Sequence, residues 1–188
     1  GLAGSGAISV AGTSNFTTGG ALSLVDAGNS FGGAVSISAG GNVALRSSTG
    51  LAVSDVVAGS KSSIGLSSGG WLTVGNLSGA AATLSAGPGA GMVLSGTLAA
   101  SQQVSLSASG AISQVSGTLM TGSLDVNAAG DVLLSSAANS IGALGASTVG
   151  GSLALTTSTA LAQTGALNVA GTSSFNTLGA IHLYQPGD

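Results

Sequence analysis

Few side chains in this sequence are equipped for chemistry. There is one histidine, His182, no cysteine, and two cations, Arg46 and Lys61, against five acidic residues that are all aspartate. The nearest approach to a catalytic set is Gly65-Leu66-Ser67-Ser68-Gly69, which fits the G-x-S-x-G nucleophile elbow. Asp125 or Asp131 and then His182 follow in the Ser, Asp, His order of hydrolases. The elbow needs a strand-to-helix turn to expose its serine, and a chain this rich in Ser and Gly produces one such match by accident. Asp125 and Asp131 also resemble the paired carboxylates that cleave glycosides, but no cation lies near them in sequence to bind an acidic sugar. The run D-V-N-A-A-G-D (125–131) lacks the dense acidic spacing needed to gather the roughly six or more oxygens calcium takes. Gly87-Pro88-Gly89-Ala90-Gly91 is turn chemistry, and Gly59-Ser60-Lys61-Ser62 misses the phosphate-loop signature by one residue. The reading is a protein without catalytic, cofactor-binding or metal-ligating residues, and not an enzyme.

The elements that would have to position any site follow from composition. Glycine fills 34 of 188 positions and charged residues 4%, against a usual ~25% charged, so ordinary surface chemistry is missing. A net charge of −3 with two cations leaves nothing to hold a nucleic-acid backbone. The hydrophobic share of 44% argues for a packed core rather than disorder. Residues 62–124 carry no charge, yet Ser, Thr, Gly and Asn break every apolar run well short of the ~18 residues of a spanning helix. The alternating runs are also too short, and aromatics at 3% too few, for a membrane barrel. Neither nucleic acid nor membrane insertion is expected.

One short pattern recurs throughout: Gly, any residue, aliphatic, any residue, aliphatic. Full copies begin at Gly6, Gly20, Gly33, Gly41, Gly70, Gly122, Gly130, Gly151, Gly165 and Gly179, with a degraded copy, G-A-I-S-Q, at Gly110. Alternation with period two is the mark of a half-buried strand, and the leading glycine supplies the turn. Helix is excluded by the period and by a cost of ~1 kcal/mol for each interior glycine. Leu24, Leu45 and Leu66 are spaced by 21 residues, as are Val53 and Val74, and Leu134 and Leu155. Val74 to Leu94 and Leu106 to Val126 are spaced by 20. An aliphatic residue returning at that interval describes a coil that stacks on its predecessor, so these ten residues are the expected core ladder. The predicted fold is all-β, a parallel β-helix (β-solenoid) of about nine coils with 20–21 residues each.

A longer period overlies the coil. Residues 165–183 match residues 6–24 at 12 of 19 positions, an offset of 159 that is close to eight coils. The expectation is one solenoid segment over 1–188, belonging to a longer repeat array whose unit restarts near 165. The alternative is a subunit whose coils continue end to end into identical neighbours, because open coil ends are open sheet edges.

Strand phase also sorts the surface. Ser9, Ser23, Ser36, Asn42, Thr73, Asp125, Asp131, Asn168 and His182 point outward, as does Trp71, the only tryptophan. An outward indole is a possible contact for a sugar or a partner protein. Phe16, Phe31 and Phe175 fall between copies of the pattern and are expected as plugs at coil corners. Asn15-Phe16-Thr17 and Asn76-Leu77-Ser78 have the form of N-glycosylation acceptors, which so much Ser and Thr also yields by coincidence. An ice-binding solenoid would need Thr-x-Thr at coil spacing, which the sequence lacks.

The phrases A-L-A-Q-T-G-A-L-N-V-A-G-T-S-S-F (160–175), A-G-N-S-F-G-G-A-V-S-I (27–37) and A-G-G-N-V-A-L (39–45) resemble the central repeats of filamentous-haemagglutinin-like two-partner-secretion exoproteins. The resemblance covers most of the chain and is weakest over about 46–105. It implies a right-handed parallel β-helix, export as an unfolded chain through an outer-membrane partner barrel, and an adhesive or fibrillar place at the bacterial surface. The family's amino-terminal secretion domain is not evident. The function expected on this basis is a secreted, non-catalytic stalk or adhesin shaft, with a host-surface or glycan receptor as a possible partner.

Overall fold

The computed structural model describes residues 1–184. Twenty strands join one parallel sheet that winds on itself as a β-solenoid of about nine turns. The remaining two, Ser9–Val10 and Ser30–Phe31, pair with each other at a corner. Every strand pairing among the described residues is parallel, and these residues contain no helix. Apolar residues recurring once per coil explain this outcome: the short strands and the longest ones alike, Leu72–Ser85, Leu98–Ala108 and Leu119–Ala128, take their partners from the next coil.

The coils stack residue on residue. Leu24 pairs with Leu45, Leu45 with Leu66, Leu66 with Leu84, Leu84 with Leu106, and Leu106 with Val126. A second column runs Val35, Val53, Val74, Leu94 and then Gln114, and continues below through Leu134, which pairs with Leu155. A third runs Phe16, Ile37, Val56, Leu77, Leu98 and Leu119. Most of these side chains are sealed from solvent and form one continuous hydrophobic cluster. Period-two alternation sends their neighbours outward, and none of the nine polar residues expected on the surface is buried. Leu106, fully buried between Leu84 and Val126, is a fair gauge of the column's strength. Leu106→Ala is expected to cost about 3 kcal/mol in chemical unfolding, the middle of the range for a leucine cavity that its neighbours cannot collapse.

Two expectations need correction. The 159-residue offset is not a whole number of coils. Phe16 pairs with Ile37 in the third column, whereas its sequence counterpart Phe175 pairs with Leu155 in the second. Likewise Leu167 pairs with Ser147 below Val126, in the Leu24 column, although its counterpart Ile8 precedes the corner pair. Register shifts at Val35/Ser36, Gly79/Ala81 and Ala100/Gln103 change the residue count per coil, so the repeat returns one strand out of phase. The phenylalanines are not all corner plugs either. Phe16 and Phe175 sit at the centres of strands Ser14–Thr18 and Ser173–Thr177, half-buried in the end coils. Phe31 alone lies in the corner pair, buried, with the edge of one ring on the face of the other and 6.1 Å between the Phe16 and Phe31 centroids.

Candidate functional site

The structure disperses the residues that imitate a catalytic set. Gly65-Leu66-Ser67-Ser68 runs inside strand Ser63–Ser68, with no helix to follow it. Ser67 stacks on Ser85, Ser107 and Asn127 in turn, which places it three coils, about 14 Å, from the coil of Asp125. His182 lies three coils further on, through Ala162, Ala143 and Ser123. Ser68, the neighbouring hydroxyl, is buried and donates to the carbonyls of Thr49 and Trp71, both at 3.0 Å.

The two aspartates hold coils together. Asp125 accepts a hydrogen bond from the side-chain amide of Gln103, one coil earlier, and its carboxylate covers Gly145. Asp131 accepts the backbone N–H of Ser152 at 2.8 Å. Ser152 in turn takes the N–H of Thr172. Asn42 does the same for Ser63, and Asn76 for Thr97. These short polar side chains, Asn42 and Asp131 just before a strand and Asn76 within one, thus each tie down a backbone N–H in the next coil. Among the described residues no three His, Cys, Asp or Glu side chains are grouped to hold a metal ion.

Polar residues inside the lumen are what sequence reasoning missed. Asn139 is fully buried. Its amide and that of Gln114 bond reciprocally, Gln114 Nε2 donating to Asn139 Oδ1 at 2.8 Å and Asn139 Nδ2 to Gln114 Oε1 at 2.9 Å. Asn139 Oδ1 also accepts the Leu119 N–H at 2.8 Å, and Nδ2 donates to the carbonyls of Leu134 and Thr156. Asn29 is a smaller version: it accepts the Ile8 N–H at 2.9 Å and donates to Leu24 at 3.0 Å. The signal was present in the degraded copy at Gly110, where glutamine stands at an inward position otherwise held by Val, Ile or Leu. It reads as loss of pattern until the partner 25 residues away is known.

The outward residue with the most distinctive setting is Trp71. It is 57% exposed, while its main chain is fixed: the Trp71 carbonyl accepts the Leu51 N–H at 2.9 Å as well as the Ser68 hydroxyl. Pairing of Leu72 with Leu51 and Met92 sets Trp71 between Gly50 and Gly91 on adjacent coils, and Ala111 follows Gly91. The benzo edge of the indole lies on Gly91, where a Cβ would come within 2.7 Å of Cζ3. Beside the ring an open depression of about 400 Å³ is lined by Gly32, Gly33, Thr49, Gly50, Ala52 and Thr73 among others, with no charged residue.

No curated protein and no solved structure gives a significant match to the chain. A family described as repeats of unknown function (DUF5649) matches residues 1–38, 79–143 and 140–188, most of the sequence, and the structure shows what such a repeat builds, a run of stacked parallel coils. The chain therefore belongs to this family of repeats of unknown function.

Proposed function

We propose that this solenoid is a non-catalytic structural segment of a secreted bacterial surface exoprotein, serving as stalk or adhesin shaft. The observation that supports this best is the unbroken stacking: 20 of the strands form a single parallel sheet along the rod, with latches and ladders repeated from coil to coil. A rod of that kind transmits load along its axis through hydrogen bonds that all run in the axial direction. The resemblance to filamentous-haemagglutinin-like repeats supplies the surface location and the partner-barrel export. A second reading is a fibre subunit that stacks end to end, since the coil-on-coil pairing that joins turns within the chain would equally join identical chains.

Electron microscopy with light scattering of the purified segment separates the two. The shaft reading expects monomeric rods of about 40 Å, nine coils at the strand spacing. Filaments of uniform width and indefinite length would replace it with the subunit reading. Surface placement is tested by antibody labelling of intact source cells against permeabilised ones, and labelling only after permeabilisation would refute export.

A further inference from the structure

We propose that the lane Gly50–Trp71–Gly91–Ala111, running along the rod axis, binds a neutral oligosaccharide with Trp71 as its stacking platform. The argument starts from the neighbours of the ring. In the outward column that holds Trp71, the adjoining residues are glycine on both sides and alanine beyond, so one large ring stands on a strip of nearly bare backbone. Gly91 is buried beneath it, and any Cβ there would displace the indole. The main chain of Trp71 is pinned by two hydrogen bonds to its carbonyl. The platform is therefore set before any ligand arrives, which limits the ordering cost of binding.

Ligand chemistry follows from what surrounds the ring. The electron-rich face of an indole attracts the weakly positive C–H face of a pyranose, and the hydroxyls at the rim of such a sugar need donors and acceptors nearby. Thr49 and Thr73 supply the polar part of the lining, and the glycines let a ring lie against the backbone. No charged side chain lines it, so an acidic sugar or a phosphate finds no counter-charge there, and a neutral one avoids the larger cost of desolvating a charge. The shallow open shape suits a linear chain crossing the coils rather than a small enclosed metabolite. This deepens the adhesive half of the proposed function and rests on it for biological meaning, while the binding itself is measured on the isolated chain.

Trp71 is the sole tryptophan, so tryptophan emission, excited selectively over that of Tyr184, reports on this site alone. Cellohexaose, maltohexaose and chitohexaose are titrated separately to millimolar concentration, with calorimetry in parallel. At least one is expected to give a saturable shift in emission with matching heat. Trp71→Ala should weaken that binding roughly tenfold or more, the loss of one stacked ring. Its circular-dichroism spectrum should be unchanged and its melting temperature should fall only slightly, because the ring is more than half exposed and covers little beyond Gly91. Gly50→Gln is the second variant: a Cβ there meets only the Trp71 carbonyl oxygen, at 3.5 Å, so the side chain fits and obstructs the lane with the indole intact. It should weaken binding to a similar degree. Absence of any fluorescence or heat change with all three sugars overturns the site, as does binding that survives both variants. Neither result touches the shaft reading, which stands or falls on particle shape and cell-surface labelling.

Discussion

Asn139→Leu is expected to lower the stability of the rod by about 4–5 kcal/mol, although it places a better apolar residue in an apolar lumen. The substitution keeps the volume and removes five hydrogen bonds. The Leu119 N–H loses its acceptor, the Gln114 amide loses its two shortest bonds and keeps only those to the Gly117 carbonyl and the Ser136 N–H, both at 3.3 Å, and the carbonyls of Leu134 and Thr156 lose a donor. Each buried group left unpaired costs about 1–3 kcal/mol, which outweighs the transfer gain of a leucine. The double variant Gln114→Leu/Asn139→Leu tests the cause. With the glutamine gone, a leucine would continue the column between Leu94 and Leu134, and the losses are confined to the backbone groups around position 139 and to two part-buried ones, the Gly117 carbonyl and the Ser136 N–H. It should therefore be more stable than Asn139→Leu alone by about 2 kcal/mol, a coupling visible in a urea double-mutant cycle. A single variant within about 1 kcal/mol of the parent would show that these amides are bystanders.

That pair also marks the boundary of what the sequence discloses. Leu24, Leu45 and Leu66 announced their column because apolar identity at a fixed spacing is itself the physical cause of stacking: whatever fills the lumen must recur once per coil. The fold was legible for that reason. Gln114 and Asn139 were not, because a reciprocal amide bond depends on where two coils bring two side chains, and the spacing of 25 residues matches no coil. The phase of the long repeat was hidden for a related reason. A register shift at Gly79/Ala81 or Ala100/Gln103 leaves the local strand pattern intact while changing the count around one coil. Identical strands such as those around Phe16 and Phe175 then settle in different columns. As for the candidate site, strand phase alone put Trp71 outside. The glycine neighbours that make it a platform lie 20 or 21 residues away in sequence and emerge only when the register of Leu51, Leu72 and Met92 is known.

Gly117→Val is expected to destabilise by about 4–5 kcal/mol, and it separates the two burdens a glycine can carry in this fold. Gly117 has a φ of 74°, and a Cβ on it would fall on the backbone of Gly96 in the coil above, against the carbonyl oxygen and carbon. Gly89 has nearly the same φ, 70°, with nothing within 4 Å of its Cβ position. Gly6 has neither a positive φ nor a close neighbour. Left-handed backbone costs a side chain about 1–2 kcal/mol, so Gly89→Ala should lose about that much. Gly6→Ala should be neutral or gain a few tenths to about 1 kcal/mol by restricting the unfolded chain. Gly117→Val adds to the dihedral cost a collision with main chain that no side-chain rotation relieves, and the branched Cβ makes the left-handed conformation worse. Thermal unfolding followed by circular dichroism should rank the three as Gly6→Ala, Gly89→Ala, Gly117→Val. If Gly89→Ala and Gly117→Val fell together, the dihedral alone would account for both. Contact between adjacent coils would then be looser than the stacked backbone at Gly96 and Gly117 requires.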